Sequence, residues 1–373
     1  MDVVYVLSNF ARLAAYEVDP QTGIPTLEGP PLALSANNVG VAPSANGRFL
    51  YVLGWNTAEF YGSGENRREY LWVYATDSNG QPGSTPIQAL AVSNLYGFEV
   101  DPSGSLAFAI EQVPSNALKS YQNVTRLRTF NVDPETGLVS SSSRIVASYA
   151  PNGPCGTGWS VEGFLEFNGF NSDGSVFYDE WYCTTHDGIY AIYYAFQINL
   201  QTGHVGTATK VFEWDEDDSA DGVWFTPRAV IDYADPAGVY GAGAVTVYAP
   251  TYPSATISTP LFTCNIEMLA ACGSGFGGMP DPLGEFMFLQ ATTNSIEITR
   301  VDVAAKQLVD TGNSIPEQIL QISSDRRLIY TQVPNDRGSL PIYTFNAETG
   351  MAREGGTIEA GGQFVKVIPV VRR

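Results

Sequence analysis

The stretch Phe130-Asn131-Val132-Asp133-Pro134-Glu135-Thr136-Gly137 joins an alternating apolar run to a tight turn, and the same phrase returns along the chain. Clear copies occupy residues 16–23, 196–203 and 343–350. Weaker copies occupy residues 74–80, 262–273 and 299–308. A phrase that recurs about seven times predicts a repeat architecture in which each copy ends a hairpin between two strands.

A second phrase, a polar turn followed by an apolar strand, lies upstream of most copies. It occupies residues 46–52, 103–108, 173–178, 283–288 and 325–330. Seven units in 373 residues leave roughly 53 residues each, which suits the four short strands of one propeller blade. The sequence therefore predicts an all-β fold, a seven-bladed β-propeller of four-stranded antiparallel blades.

The two ends of the chain predict how the ring closes. The sequence opens midway through a unit, at residues 3–8, and finishes with a lone apolar strand at residues 363–370. We expect the C-terminal strand to join the first blade, because this pairing removes two exposed sheet edges. No linker or change of composition divides the chain, so residues 1–373 are expected to form a single domain.

Charge and composition exclude several classes of protein. The 39 acidic and 19 basic residues give a net charge of −20, which disfavours binding to nucleic acid phosphates. A hydrophobic content of 44% with only 16% charged residues is typical of a chain with a large core. No run approaches the roughly 20 apolar residues of a transmembrane helix, so we expect no membrane span.

The four cysteines show no zinc-binding spacing, and we expect disulfides between Cys264 and Cys272 and between Cys155 and Cys183. Free buried thiols are the alternative. Disulfides form in oxidising compartments, so the prediction favours a secreted or periplasmic protein whose signal peptide is absent from this sequence.

The strand Phe49-Leu50-Tyr51-Val52, together with the Val-Asp-Pro-x-Thr-Gly hairpins, resembles the lactonase family of seven-bladed propellers. This family includes bacterial 6-phosphogluconolactonase-like proteins and fungal carboxymuconate lactonizing enzymes. The resemblance implies a lactone hydrolase or lactonizing cycloisomerase that acts on a small cyclic ester at the mouth of the central channel.

In propellers of this type, the start of each innermost strand lines one mouth of the channel. The residues that we expect there to contact substrate are Asn38, Tyr96, Glu317 and Gln363.

Two further residues are candidates for the chemistry. Thr226-Pro227-Arg228 resembles the family's Pro-Arg-x phrase, which implies that Arg228 holds an anionic substrate or oxyanion. Glu162 stands where the cyclase members resemble Gly-Ile-His-Gly, so a carboxylate replaces the imidazole as the candidate acid or base. The family's catalytic Glu, expected after the strand that follows Pro-Arg-x, has no counterpart in residues 245–250. The alternative is that Glu162 and Arg228 form a salt bridge in the channel.

An acidic run offers Asp215, Asp217 and Asp221 as calcium ligands, although it lacks the EF-hand pattern and could equally be a solvated loop. The implied reaction requires no cofactor. The alternative function is a non-catalytic extracellular propeller that binds a glycan, a peptide or a partner protein through its loops. In either case we expect a monomer.

Overall fold

The computed structural model describes residues 2–9, 12–34, 36–56, 69–114, 123–149, 165–171, 173–184, 189–214, 219–235, 244–249, 259–265, 278–292, 295–333, 336 and 338–371. These residues form β-strands joined by turns, without helices. In this part of the chain there is accordingly no helix of the length and apolarity that a bilayer crossing needs.

Strands are numbered in chain order. They are β1 (Asp2–Ser8), β2 (Arg12–Val18), β3 (Pro25–Leu27), β4 (Leu32–Ala33), β5 (Ala36–Pro43), β6 (Phe49–Asn56), β7 (Glu69–Ala75), β8 (Gln88–Val92), β9 (Leu95–Val100), β10 (Leu106–Pro114), β11 (Asn123–Val132), β12 (Val139–Tyr149), β13 (Leu165–Phe170), β14 (Val176–Thr184), β15 (Ile189–Asn199), β16 (His204–Val205), β17 (Thr209–Trp214), β18 (Ser219–Phe225), β19 (Val230–Asp235), β20 (Ala244–Tyr248), β21 (Pro260–Asn265), β22 (Gly278–Pro280), β23 (Phe286–Thr292), β24 (Ser295–Asp302), β25 (Gln307–Ile315), β26 (Gln318–Ile322), β27 (Leu328–Gln332), β28 (Ser339–Asn346), β29 (Met351–Glu359) and β30 (Phe364–Val371).

These strands form seven antiparallel sheets, one for each blade, which confirms the predicted propeller. Blade 1 runs β30-β1-β2-β3, with β4 also paired to β2. Blades 2 and 3 are β5-β6-β7-β8 and β9-β10-β11-β12. Blade 4 runs β13-β14-β15, and its outer edge is divided between β16 and β17. Blades 5, 6 and 7 are β18-β19-β20-β21, β22-β23-β24-β25 and β26-β27-β28-β29.

The first strand of each sheet is its innermost strand. Inner strands of adjacent blades contact one another: β30 contacts β5 and β26, β9 contacts β5 and β13, and β18 contacts β22. Seven inner strands arranged in this way surround the central channel of a propeller.

Hydrophobic packing occurs between blades, in seven clusters that each draw buried residues from two neighbouring sheets. Tyr51 of blade 2 and Phe98 of blade 3 share one cluster, with their ring centroids 5.6 Å apart. A blade therefore has no separate core, and both of its faces depend on the adjoining blades.

The C-terminal strand closes the ring, as predicted. β30 pairs with β1 in antiparallel register, with Ile368 opposite Tyr5 and Val370 opposite Val3. All four residues belong to the cluster shared by blades 1 and 2. The last strand of the chain thus supplies both the inner strand of blade 1 and part of the packing against blade 2.

The Asp-Pro-x-Thr-Gly turns connect the third and fourth strands of their blades. In the copy between β11 and β12, the Gly137 amide donates to the Asp133 carbonyl at 2.7 Å, and the Asp133 side chain accepts from the Glu135 amide at 2.9 Å. Gly137 has a φ of +73°, which other residues adopt only with strain. The weak copy at residues 262–273 does not connect the third and fourth strands of blade 5, because it begins within β21, which is the fourth strand.

Except in blade 5, the turns between first and second strands share another geometry, with a left-handed residue before the second strand. Four of these positions are glycines: Gly47, Gly104, Gly174 and Gly284. In blade 7 the equivalent residue is Arg326, with a φ of +64°. A left-handed conformation costs a residue with a side chain roughly 1 kcal/mol or more, so Arg326 needs compensating contacts.

Those contacts are ion pairs with the corresponding turn of blade 6. Arg326 Nε meets the Asp281 carboxylate, which is 0% exposed, and Arg326 Nη2 meets Glu285. Burial raises the pKa of Asp281, while Arg326 and two backbone amides act in the opposite direction. The guanidinium therefore stabilises a charge that burial alone would disfavour.

Shortening Ile368 should weaken the ring closure. We expect Ile368→Ala to lower the free energy of unfolding by about 2–4 kcal/mol, because it leaves a cavity between blades 1 and 2. Met351→Ala, on the exposed outer strand β29, is the control and should change it by less than about 1 kcal/mol. Urea unfolding measures the free energy of unfolding of both variants. Equal losses in Ile368→Ala and Met351→Ala would contradict a decisive role for the packing between blades 1 and 2.

Replacing Arg326 by glycine separates backbone strain from ion pairing. Arg326→Gly should relieve about 1 kcal/mol of strain but lose the buried ion pair, for a net destabilisation of about 2 kcal/mol. Lys306, an exposed turn residue with a φ of +56°, is the matched control. Lys306→Gly should leave stability unchanged or raise it slightly in the same urea titration. Stabilisation by Arg326→Gly would show that the ion pairs contribute little.

Candidate functional site

One end of the ring gathers the four residues predicted to contact substrate. Asn38 and Tyr96 lie near the starts of the inner strands β5 and β9. Glu317 and Gln363 immediately precede the inner strands β26 and β30. Because inner strands occupy equivalent places in their blades, their starts meet at one mouth of the channel. The side chains of Asn38 and Tyr96 lie outside the described part of the structure.

Glu317 is held in place at this mouth. Its carboxylate accepts a hydrogen bond from the Thr331 hydroxyl at 2.6 Å, and Thr331 is fully buried on β27. Tyr343, on β28, also hydrogen-bonds to Glu317, and burial together with this carboxylate raises the Tyr343 pKa. Glu317 itself is half-buried, so it combines a fixed orientation with access to solvent.

Gln363 lies at the ring closure. It is exposed, and its carbonyl accepts a hydrogen bond from the Asn9 amide at 2.8 Å. Asn9 follows β1 in a left-handed conformation with a φ of +50°. Its side chain lies so close to Gly362 that a Cβ added there would be 2.3 Å from Asn9 Nδ2. The backbone before β30 is therefore closely fixed.

Arg228 does not lie at this mouth, and its predicted position before an inner strand is wrong. It falls in the turn between β18 and β19, after the inner strand of blade 5 and at the opposite end of the sheet. Its side chain is 59% exposed, and its guanidinium pairs with Glu285, in the equivalent turn of blade 6. Arg228 thus extends the ion pairs of Arg326 and lies away from the candidate substrate residues.

Several predicted residues lie outside the described part of the chain. These are Glu162, Asp215, Asp217, Cys155 and Cys272. The backbones of Asp221 and Cys183 belong to β18 and β14, but their side chains are likewise not described. Among the side chains that are described, no group of three His, Cys, Asp or Glu residues is arranged to hold a metal ion. Cys264 is buried and disulfide-bonded; the proposed pairings remain predictions.

Sequence reasoning missed two charged residues on inner strands. Lys366 is the third residue of β30, and its Nζ lies 3.5 Å from the Val41 carbonyl of β5. Glu99 lies on β9 and interacts electrostatically with Lys366. The two groups come from blades 1 and 3, on either side of blade 2. The available signal was a charge within each apolar strand, at Phe98-Glu99-Val100 and Val365-Lys366-Val367.

Their environment perturbs both groups. Burial raises the pKa of Glu99 to about 7, and Lys366 partly opposes this rise. Burial also lowers the pKa of Lys366, although its side chain retains accessible surface. In each group, loss of hydration on burial disfavours the charged form. Glu99 can therefore exchange a proton near neutral pH.

Glu99 should give stability a distinct pH dependence. Its pKa is raised from 4.5 to about 7 on folding, so the stabilisation from the protonated form is complete below pH 4.5 and lost as pH rises through 7. This group alone should remove about 3 kcal/mol over that window. Unfolding titrations at several pH values should show a shallower fall in Glu99→Gln, whereas Glu348→Gln, an exposed turn variant, should match wild type. Identical profiles for wild type and Glu99→Gln would contradict the raised pKa.

The chain matches no protein-family model and no curated protein sequence. Among solved structures it resembles a putative 6-phosphogluconolactonase from Bacteroides uniformis, with 14% identity, a TM-score of 0.61 and 99% of each chain covered. It also resembles the periplasmic gluconolactonase of Pseudomonas aeruginosa, with 15% identity, a TM-score of 0.59, and 100% of this chain and 99% of that one covered. A Lactobacillus plantarum protein has 10% identity and a TM-score of 0.59, with 99% of each chain covered. At these identities the comparisons show a shared fold, the seven-bladed β-propeller.

Proposed function

We propose that the protein is an exported lactonase or cycloisomerase-like enzyme that acts on a small cyclic ester at the mouth of the central channel. The observation that carries this proposal is the Glu317 carboxylate, fixed by Thr331 at the start of an inner strand and still accessible. An oriented carboxylate of this kind can accept hydrogen bonds from a substrate's hydroxyl groups.

The full-length likeness to structures described as a 6-phosphogluconolactonase and a gluconolactonase supports the same class of substrate. Export is a separate part of the proposal, supported by the disulfide-bonded state of Cys264. Hydrolysis of an ester needs no cofactor when a carboxylate can activate water. A calcium ion bound by Asp215, Asp217 and Asp221 would act in our proposal as a structural element.

A panel of sugar lactones and muconolactone-type substrates, followed by proton release, tests the proposal. We expect turnover of at least one lactone by wild type and a fall in kcat/KM of about 10-fold or more in Glu317→Gln, since a charge-assisted hydrogen bond is lost. Thr331→Val should raise KM by a smaller factor, because it frees Glu317 to rotate. Arg228→Ala is the matched control and should retain turnover.

The outcome also distinguishes the alternative function. Absence of turnover on every lactone would overturn the proposed enzymatic function and favour a propeller that binds a glycan, peptide or partner protein. Turnover that is lost in Arg228→Ala and retained in Glu317→Gln would place the reaction at the opposite end of the channel.

A further inference from the structure

Glu317 is carried by a short and constrained connection. β25 ends at Ile315 and β26 begins at Gln318, so Pro316 and Glu317 alone join the outer strand of blade 6 to the inner strand of blade 7. Ile315 is fully buried in the cluster between blades 6 and 7, and the pyrrolidine ring restricts the backbone at Pro316. The backbone therefore fixes the point from which the Glu317 side chain extends.

The Thr331 hydroxyl has two acceptors within reach and one hydrogen to donate. Its Oγ1 lies 2.6 Å from Glu317 Oε2 and 3.1 Å from the carbonyl oxygen of Pro341. Because a hydroxyl carries a single hydrogen, Thr331 can donate to only one of these oxygens at a time. The shorter distance is typical of a hydroxyl that donates to an ionised carboxylate. Thr331 therefore donates to the Glu317 carboxylate, and the Pro341 carbonyl is its alternative acceptor.

A proline in the sheet provides this alternative acceptor. The ladder between β27 and β28 ends at the pair Tyr330 and Ile342. Thr331 and Pro341 are the next residues on the two strands, and Pro341 has no amide hydrogen with which to continue the ladder. The Pro341 carbonyl lies instead within hydrogen-bond distance of the Thr331 side chain. Thr331 is fully buried, so its hydroxyl depends on these protein acceptors.

Thr331 can remain hydrogen-bonded whether or not Glu317 carries a proton. A carboxylate forms a stronger, charge-assisted bond than a peptide carbonyl, so Thr331 donates to Glu317 in the ionised state. A proton on Glu317 Oε1 removes that advantage, and the Thr331 hydrogen can then turn to the Pro341 carbonyl by rotation of the hydroxyl alone. Neutralising Glu317 therefore leaves no buried Thr331 donor unsatisfied, which would be costly. A group that gains and loses a proton in each turnover needs such a neighbour.

The other contacts of Glu317 orient its carboxylate without neutralising it. Tyr343 hydrogen-bonds to Glu317, and burial together with this carboxylate raises the pKa of Tyr343, so the phenol stays a neutral donor. Within the described residues, no lysine or arginine forms an ion pair with Glu317. The negative charge of this half-buried carboxylate is thus available to a proton.

We propose that Glu317 is the acid–base catalyst at the channel mouth, and that Thr331 is its positioning residue, whose single hydrogen turns between Glu317 and Pro341 as the charge of Glu317 changes. This inference rests on the proposed function and gives the Glu317 carboxylate a chemical task besides the binding of substrate hydroxyl groups. Thr331 and Tyr343 act through Glu317 and do not touch the reacting atoms.

The reaction balances with water as the second reactant. As the water oxygen bonds to the acyl carbon of the cyclic ester, one water proton passes to Glu317 Oε1 and the carbonyl electron pair moves onto the carbonyl oxygen. The Thr331 hydrogen turns to Pro341 as the carboxylate loses its charge. The carbonyl then re-forms while the ring C–O bond breaks, and Glu317 returns the proton to the departing alkoxide oxygen. The product is an open-chain hydroxy acid, and Glu317 is again a carboxylate.

Kinetics on whichever lactone the wild type hydrolyses test the assignment. Glu317→Gln should lower kcat by about 100-fold or more, because it removes the acid–base group. Thr331→Val should lower kcat by about 10-fold besides raising KM, since Glu317 loses its fixed orientation. Thr331→Ser keeps the hydroxyl and should restore most of the lost kcat, which a purely structural role in packing would not predict.

Matched variants and the split between kcat and KM decide the result. Thr299 is fully buried on β24, with its hydroxyl directed to the Met287 carbonyl, so Thr299→Val removes a buried hydroxyl in the next blade and should retain wild-type kcat. Glu348→Gln, an exposed turn variant, should also retain it. A raised KM with wild-type kcat in Glu317→Gln would overturn the acid–base role and leave the proposed function intact, because Glu317 would then only bind substrate.

The Thr331 hydrogen can be followed without turnover. In protein labelled with 13C at the proline carbonyl carbons, the resonance missing from Pro341→Ala identifies Pro341. We expect this resonance to move on acidification, as the Thr331 hydrogen turns to the Pro341 carbonyl, and to stay in place in Glu317→Gln and Thr331→Val. A resonance that acid leaves unchanged in wild type would overturn the role of Thr331 whether or not the protein hydrolyses lactones. The expected movement in a protein inactive on every lactone would overturn the proposed function while supporting the hydrogen-bond switch.

Discussion

The antiparallel pairing of β30 with β1 is the constraint on which the rest of the molecule depends. Every blade buries both faces against neighbours, so an open ring would expose two apolar faces and two strand edges at once. Pairing across the chain ends removes both edges, and Ile368 then packs with Tyr5 between blades 1 and 2. The same strand carries Lys366, so ring closure also brings that ammonium group within electrostatic range of Glu99.

Ion pairs between turns also hold neighbouring blades together. Most turns between first and second strands use glycine in the left-handed position, but blade 7 uses Arg326. Its side chain joins the buried Asp281 to Glu285, and Arg228 continues the series from blade 5. The exposed Arg228 pair contributes little by itself, whereas removing Arg326 leaves a buried carboxylate unpaired. These ion pairs therefore link blades 5, 6 and 7 at the end of the ring away from Glu317.

The sequence predicts the fold well because its signals are local. Asp133 and Gly137 define a hairpin turn through their own hydrogen bonds, and repetition of that phrase sets the blade number. The resemblance to the family predicted inner strands after Glu317 and Arg228, and only Glu317 precedes one. Arg228 was misplaced because a turn before a second strand resembles one before an inner strand. Glu99 and Lys366 lie near opposite ends of the sequence, so no local pattern could pair them; only ring closure brings them together.

Two opposing effects set the protonation of Glu99. Burial disfavours its carboxylate and raises its pKa, whereas the positive charge of Lys366, on another blade, favours the carboxylate. Burial is the larger effect, and the resulting pKa is about 7. Because Lys366 lies on β30, the strand that closes the ring, the opposing charge is in place only when the ring is closed.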